Sequence, residues 1–251
     1  MSDTNDNSHK SLTYTQGYSE AVLRSHASRT ASTCAAFLLP HLTPDAKILD
    51  VGCGPGTITI SLASYVSQGS IVGVDYSHQV VAEAQKRLDS EEMLLHLPEP
   101  VKALKEMKRV CKIRGIVAVR EADFSTSLIY PPTATFQLWL DTAISIYRSI
   151  GAEPDAGRRL IRWALDAGFS PGPDNVTYSS SNQAYGGQPG AQFWGEMWSQ
   201  RIAAESWKQQ ALNTKKVTEQ EVKRMQEDWL QWSKAEDGVF VMVCGEVLLR
   251  K

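Results

Sequence analysis

A glycine-rich stretch after a short apolar run is the part of this sequence best suited to chemistry. Residues 48–51 (Ile-Leu-Asp-Val) lead into Gly52, Gly54 and Gly56, and a helix-like segment begins at Thr57. Glycines allow positive φ and let a ligand approach the backbone, because they carry no Cβ. The order of strand, tight turn and helix predicts a ligand-binding loop at the end of a strand.

A carboxylate follows the loop at an informative distance. The apolar run at 71–74 ends in Asp75, about twenty residues beyond the loop, where a side chain at the tip of the adjacent parallel strand can accept hydrogen bonds from ribose hydroxyls. Together with Asp50, which precedes the first glycine, the pattern predicts a site for a nucleoside cofactor. The alternative is that Asp75 only caps a turn.

The spacing of the glycines narrows the choice of nucleoside. A dinucleotide fingerprint needs its third glycine at position 57, where this chain has Thr57. The stretch from Asp50 to Gly56, Asp-Val-Gly-Cys-Gly-Pro-Gly, resembles motif I of the class I S-adenosylmethionine-dependent methyltransferases. This resemblance implies S-adenosyl-L-methionine as cofactor and methyl transfer to a small-molecule acceptor. The cofactor-binding residues that it implies are Asp50, Gly52, Cys53, Gly54, Gly56, Thr57, Asp75, Tyr76 and Tyr18.

A second resemblance lies further along the chain. The stretch Leu95-His96-Leu97-Pro98-Glu99-Pro100 is similar to the segment after the fourth strand in UbiE-type methyltransferases, where a helix follows. The turn before the next strand, which reads Lys-Pro-Gly-Gly in that family, is Lys-Ile-Arg-Gly at 112–115 here. His96 is the candidate catalytic residue, since a histidine at this place could act as a general base. The alternative is a histidine that bonds the backbone at the helix entry.

The interval between the second and third predicted strands is too short for this family. Between Asp75 and Gly115 lie 39 residues. Two further strands with helical crossovers need roughly 65–70 residues, at about 30 or more for each strand–helix–strand unit. The sequence therefore predicts an internal deletion near residues 89–93, with one or two strands of the sheet missing. A truncated or degenerate homologue without catalysis is the alternative function.

The predicted fold is α/β, a doubly wound, parallel, Rossmann-like methyltransferase sheet with a helical cap. A disordered tail is expected over residues 1–17 and one domain over 18–251, with the cofactor-binding core at about 40–125 and the cap or substrate region at about 126–235. The predicted strands are 71–74, 116–119, 175–179 and 239–249, besides the strand before the loop. The predicted helices are 18–39, 57–65, 77–89 with Ser77 as N-cap, 100–112, 137–148 and 157–167 with Gly168 as C-cap, and one or two helices over 191–233.

Bulk properties exclude several classes. The chain has 251 residues, 42% of them apolar, and a net charge of −2, which gives no electrostatic footprint for nucleic acid. No run reaches the 18 or more apolar residues that a membrane span requires. The four cysteines lie far apart without a C-x-x-C pair, which argues against zinc and disulfides and favours the cytosol. No metal site is predicted, and the oligomeric state is left open.

Several residues have two interpretations. Cys53 suits packing better than nucleophilic attack, because no base lies at a readable spacing. Glu121 and Asp123 are placed just past a strand, at the edge where such sheets bind ligands, or they cap the next segment. His26 and Arg29, with Tyr18, could close over the cofactor or lie on the surface. Five tryptophans could line an apolar pocket but more often form core: Trp194, Trp198, Trp207, Trp229 and Trp232. A nicotinamide-dependent oxidoreductase is disfavoured by Thr57 and by the absence of a Tyr-x-x-x-Lys pair.

Overall fold

The computed structural model describes residues 29–54, 56–75, 97 and 99–251. The strands are β1 (Lys47–Val51), β2 (Ser70–Val74), β3 (Ile116–Tyr130), β4 (Val176–Gly186) and β5 (Val239–Arg250). The helices are α1 (Ala31–Cys34), α2 (Thr57–Ala63), α3 (Pro100–Val110), α4 (Phe136–Ser149), α5 (Leu160–Asp166), α6 (Gly187–Ala203), α7 (Glu205–Asn213) and α8 (Glu219–Trp232), with short 3-10 turns at Leu39–His41 and Gly157–Arg159.

These strands form two separate sheets. β1 and β2 pair in parallel, whereas β5 lies between β3 and β4 and is antiparallel to both. We call residues 29–75 the two-stranded unit and residues 99–251 the three-stranded unit. The predicted α/β class is confirmed, but the expectation of parallel pairing throughout is wrong for the three-stranded sheet. An apolar run looks the same in either direction, so the sequence could not show that the last strand returns reversed between its neighbours.

Among the described residues, the two-stranded unit is covered on one face only. Ile48 and Ile71 face α1 and α2 and join their small core. On the other face Leu49 is 49% exposed, Val72 54% and Val74 41%. Parallel sheets are normally buried on both faces, so three exposed apolar side chains on a parallel pair are unusual.

The three-stranded unit is covered on both faces. One face packs against α4, α6 and α8, in a core that includes Trp139, Trp198 and Phe240. The other face packs against α3 and α5, where Leu104 and Leu160 are fully buried. The main hydrophobic core of the described residues therefore lies on this sheet.

The first described helix is shorter than predicted. Within residues 29–39 only Ala31–Cys34 is α-helical. The Thr30 side chain accepts a hydrogen bond from the Thr33 N–H, and the Thr33 hydroxyl accepts one from the Thr30 N–H. This reciprocal cap begins a helix at Ala31, so the predicted continuous helix over 18–39 is wrong at this point.

Three boundaries in the three-stranded unit also differ from the prediction. β3 extends through Tyr130 and β4 through Gly186, beyond the predicted strand ends at 119 and 179. Residues 191–233 contain parts of three helices rather than one or two. Pairing with the central strand β5 over its whole length holds both flanking strands extended, and this tertiary contact overrides the local preference for a loop.

The remaining predicted elements are confirmed to within a few residues: the strands at 71–74 and 239–249, and the helices at 57–65, 100–112, 137–148 and 157–167. Gly168 follows α5 with φ +87°, as expected of a glycine that ends a helix. The helix predicted over 77–89 lies outside the described residues.

Candidate cofactor site

The glycine loop begins where β1 ends and is attached to the end of β2. The N–H groups of Gly52 and Cys53 donate to the carbonyl oxygen of Val74 at 2.8 and 3.1 Å. Gly52, Gly54 and Gly56 have φ of 74°, 48° and 76°. Side chains at these three positions would be strained, so the spacing of the glycines is a requirement of the turn.

Asp75 holds the loop from the neighbouring strand. Its Oδ2 accepts a hydrogen bond from the Gly54 N–H at 3.0 Å. Because β1 and β2 are parallel, the carboxyl ends of both strands lie at the same edge of the sheet. The sequence-based expectation that the loop and Asp75 come together is met by this contact.

Asp50 lies at the base of the loop in a partly buried position. The Thr59 hydroxyl donates to its Oδ2 at 2.6 Å. Burial raises the pKa of Asp50 above its usual value, the Thr59 hydrogen bond opposes that shift, and the charge of Asp75 adds to it. The sequence analysis did not predict that Thr59 is the partner of Asp50. The only feature that could have indicated it is a hydroxyl side chain half a turn into the helix after the loop.

Cys53 is a packing residue. It is 5% exposed, and burial, with the charges of Asp50 and Asp75, raises the pKa of its thiol to about 11. The thiol therefore stays protonated at neutral pH and is a poor nucleophile. The interpretation of Cys53 as a small core side chain is the one that this geometry favours.

Because Gly73 has no side chain, there is room for the Cys53 side chain next to it. It is the register partner of Asp50, and a Cβ at Gly73 would come within 2.8 Å of the Cys53 Sγ. A glycine inside an apolar strand signals close approach of another group, so the run Ile-Val-Gly-Val at 71–74 contained this information.

Glu121 and Asp123 lie inside β3 and not at its edge, which corrects the prediction. They are 1% and 5% exposed. The Arg158 Nε donates to Asp123 Oδ2 at 2.7 Å, and the Arg158 backbone N–H donates to the same oxygen at 3.2 Å. Asp123 therefore anchors the turn before α5, because β3 runs on to Tyr130 and leaves both carboxylates in the interior.

The five tryptophans of the C-terminal region are core residues. Each is at most 5% exposed, and Trp198 and Trp229 contact one another at a ring-centroid distance of 6.3 Å. Packing as their role is confirmed. Tyr18, His26, Tyr76 and His96 lie outside the described residues, whereas Arg29 lies at the start of the described chain.

Two other kinds of site are absent from the part of the chain that the structure describes. No three His, Cys, Asp or Glu side chains there come together as metal ligands. None of the described helices is long and apolar enough to cross a membrane.

Comparison with known proteins gives the family. The family model described as a methyltransferase domain matches residues 42–93. An uncharacterised methyltransferase of Schizosaccharomyces pombe is 30% identical over an alignment of 275 positions that covers 96% of this chain and 97% of that protein. Probable methyltransferase ltbC of Aspergillus luteorubrus is 34% identical over 43% of this chain and 51% of its own length, so the chain matches about half of that relative.

The fold agrees with this assignment. A cyclopropane synthase of Mycobacterium tuberculosis superposes with a TM-score of 0.50 at 14% identity, covering 94% of this chain and 95% of that one. The predicted Rossmann-like methyltransferase fold is thereby confirmed. The chain belongs to the class I S-adenosylmethionine-dependent methyltransferase family.

Proposed function

We propose that this protein transfers a methyl group from S-adenosylmethionine to a small-molecule acceptor, and that the glycine loop with Asp75 is its cofactor site. The observation that carries the proposal is the 3.0 Å hydrogen bond from the Gly54 N–H to Asp75 at the shared carboxyl edge of β1 and β2. It brings the loop that would hold the methionine end next to the carboxylate that would bind the ribose.

The charge of the site favours this cofactor over a dinucleotide. Asp75 is close enough to Asp50 that its charge adds to the rise in the pKa of Asp50 that burial causes, which means that the site disfavours further negative charge. S-adenosylmethionine brings a positive sulfonium, whereas a nicotinamide dinucleotide brings a pyrophosphate with two negative charges. The two carboxylates therefore support S-adenosylmethionine.

Methyl transfer requires little of the protein beyond the correct positioning of the two reactants. The acceptor nucleophile must approach the methyl carbon in line with the bond to sulfur, so most of the rate enhancement comes from proximity and orientation. The residues that we assign to the cofactor are the loop glycines with Asp50, Cys53, Thr57 and Asp75; Tyr18 and Tyr76 complete the proposed set, and His96 is the proposed general base.

A second candidate function, a shortened homologue without catalysis, is favoured by a specific observation. Since 96% of the 251 residues is about 241, about 34 of the 275 positions aligned with the Schizosaccharomyces pombe protein have no residue of this chain. The match to the family model stops at residue 93, and β1 and β2 expose one apolar face. These facts support an internal deletion near residues 89–93 that removes a strand or two from the centre of the sheet.

Two further proposals concern the subfamily of the protein and its cellular compartment. The stretch at 95–100 supports membership of the UbiE-like subfamily, and Pro100 is the first residue of α3 as that pattern requires. The four cysteines are free thiols, which supports a reducing compartment such as the cytosol.

Calorimetric titration of the full chain separates the candidates. We expect saturable binding of S-adenosylmethionine and no binding of NAD. Asp75→Asn should weaken S-adenosylmethionine binding by about tenfold, which corresponds to a loss of about 1.4 kcal/mol of binding free energy. Asp45→Asn, an exposed carboxylate next to β1, is the matched control and should bind like the wild type.

The outcomes differ for each candidate. A folded, monodisperse chain that binds neither compound would reject methyl transfer and favour the shortened homologue. Binding without formation of S-adenosylhomocysteine in the presence of an acceptor mixture would retain the cofactor site and reject catalysis. Sequencing the transcript across the codons for residues 89–93 tests the deletion independently, because a longer transcript would contain the missing strands.

A further inference from the structure

The turn that joins α3 to β3 contains two residues that the turn itself does not favour. The Gly115 N–H donates to the Lys112 carbonyl oxygen at 2.8 Å, which closes a four-residue turn, and Arg114 in its third position has φ of 66°. A positive φ at the third position is the pattern of a type II turn, which favours proline at the second position and glycine at the third. Ile113 and Arg114 occupy those positions here, so the backbone is strained at Arg114.

The strain at Arg114 gains no contact for the fold. In the described ranges its side chain makes no hydrogen bond or ion pair. Its N–H donates to the Lys251 carbonyl at 3.0 Å, which a glycine would do equally well. Ile113 is 84% exposed, the largest exposed fraction of any large apolar side chain that the structure describes. One exposed apolar residue is ordinary, but a strained residue beside it that stabilises nothing indicates a role outside the fold.

Basic side chains surround this turn. Arg250 pairs with the first residue of β3, and the Lys251 N–H donates to the Gly115 carbonyl at 3.1 Å. The Lys251 ammonium donates to the carbonyl oxygens of Arg109 and Cys111 at 2.9 and 2.8 Å, at the end of α3. We call residues 109–115 with 250 and 251 the basic turn. Its exposed side chains include four basic ones and two apolar ones: Lys112, Arg114, Arg250 and Lys251, and Val110 and Ile113.

Few carboxylates oppose these charges. Glu106 pairs with Arg109 at 2.6 Å, so Arg109 adds little to the excess. The Thr43 hydroxyl lowers the pKa of Asp45, and the charge of Lys112 adds to that shift, so Asp45 lies within electrostatic reach of Lys112. The whole chain has a net charge of −2, which makes the basic turn a local excess of positive charge.

We propose that the basic turn docks on a phospholipid membrane surface rich in anionic headgroups, with Ile113 and Val110 entering the interfacial layer. Lys and Arg side chains near such a surface are attracted by its negative potential. An aliphatic side chain gains free energy when it leaves water for the acyl boundary, a gain that a nucleic acid does not offer. A protruding aliphatic group among cations therefore favours a lipid surface.

Docking at the basic turn leaves the proposed cofactor site uncovered. The charge of Lys112 reaches Asp45, which lies just before the first residue of β1. The glycine loop follows the other end of β1, after Val51. The proposal goes beyond the proposed function and does not depend on it, because docking needs no cofactor.

The test is co-sedimentation of the full chain with vesicles in the absence of S-adenosylmethionine. We expect vesicles of phosphatidylcholine with about 30% phosphatidylserine to bind the chain at least about tenfold more tightly than phosphatidylcholine alone, because each basic side chain near the surface contributes about fivefold. About 0.5 M NaCl should remove most of this difference by screening. No binding to the anionic vesicles would overturn the proposal.

Two residues with positive φ provide matched variants. Arg114→Gly and Lys215→Gly each remove one positive charge at a left-handed position, since φ of Lys215 is 57°. We expect each to leave the Tm unchanged or to raise it by up to about 4 °C. Only Arg114→Gly should weaken binding to the anionic vesicles, by about fivefold. Equal losses in both variants would assign the effect to net charge and reject the basic turn as the docking site.

Two exposed aliphatic residues form a second matched pair. Ile113→Ser and Leu230→Ser, the latter on α8 and 43% exposed in the wild type, should each keep the Tm within about 2 °C. Only Ile113→Ser should weaken binding to the anionic vesicles, by about tenfold. Wild-type binding in Ile113→Ser would show that no side chain enters the membrane, and the proposal would be wrong. It would also be wrong if the chain bound transfer RNA and Arg114→Gly weakened that binding alone.

Discussion

The two units of this molecule differ in their packing, and the less well packed one contains the proposed cofactor site. The three-stranded unit buries both faces of its sheet and contains the large aromatic core. The two-stranded unit holds the glycine loop and Asp75, but it leaves Leu49, Val72 and Val74 exposed. A two-stranded sheet is marginal by itself. The unit with the most specific sequence motif is therefore the one with the weakest packing.

The largest effect should come from truncating the aromatic core. Trp139 is fully buried, so Trp139→Ala should lower the free energy of unfolding by about 3–5 kcal/mol, from lost transfer energy and the cavity left behind. Leu49→Ala in the two-stranded unit should change it by less than about 0.5 kcal/mol, because Leu49 is half exposed. Urea denaturation measures both. A large loss in Leu49→Ala would show that its face is covered in solution.

A smaller effect is expected from filling the space at Gly73. Gly73→Ala places a methyl group against the Cys53 Sγ, which should cost about 1–3 kcal/mol and displace the glycine loop. We expect S-adenosylmethionine binding to weaken by about tenfold or more in calorimetry. Gly186→Ala is the control, since its Cβ would meet its nearest neighbour at 4.0 Å. Wild-type affinity in Gly73→Ala would mean that the loop does not depend on this contact.

The two units contain the same type of helix cap, which allows a direct comparison. Thr218 caps α8 in the three-stranded unit and Thr30 caps α1 in the two-stranded unit, each by a capping box. Thr218→Ala should lower the free energy of unfolding by about 1 kcal/mol. Thr30→Ala should leave it within about 0.5 kcal/mol and instead speed amide hydrogen exchange in α1 and α2. Equal global losses would show that the units unfold together.

The smallest effect concerns pH. The pKa of Asp50 is raised by burial, so its native state holds a proton at pH values where the unfolded chain has lost it. The contribution of Asp50 to stability is thus fully present below the unfolded pKa and is lost as pH rises through the folded pKa. Binding of a cation has the opposite preference, because it needs the ionised carboxylate.

We therefore expect the affinity for S-adenosylmethionine to fall, by less than about tenfold, as pH is lowered through the raised pKa of Asp50. S-adenosylhomocysteine lacks the sulfonium charge and should show a weaker dependence. Asp50→Asn should remove the difference between the two ligands. A pH profile that Asp50→Asn leaves unchanged would assign the dependence to another group.

The extent to which the structure could be predicted from the sequence differs between the two units for a physical reason. The glycine loop and Asp75 are fixed by local requirements, positive φ and a carboxylate at a strand end, and such requirements are visible in the residue types. The interiors of β3 and β4 are fixed by pairing with β5, which lies more than fifty residues away along the chain in each case. Hence Glu121 and Asp123 were placed at an edge although they lie within a strand.

The candidate site shows the same limit. Cys53 could be identified as a packing residue because it lacks a neighbouring base, but its contact with Gly73 comes from the register of β1 and β2. The Thr59 hydrogen bond to Asp50 depends on how α2 leaves the loop. Register and helix direction are tertiary properties, so they could not be predicted from the residue types of a single sequence.

The position of β5 has a consequence for how the chain is made. β5 is the last strand in the sequence and the central strand of its sheet, so neither β3 nor β4 has a described strand to pair with until residues 239–250 have left the ribosome. The edges of β3 and β4 therefore stay unpaired from the time each strand is made until the end of translation, whereas β1 and β2 are complete after residue 74. Unpaired strand edges promote aggregation of nascent chains. The better-packed unit of this protein is thus the one whose strand edges wait longest for a partner during translation.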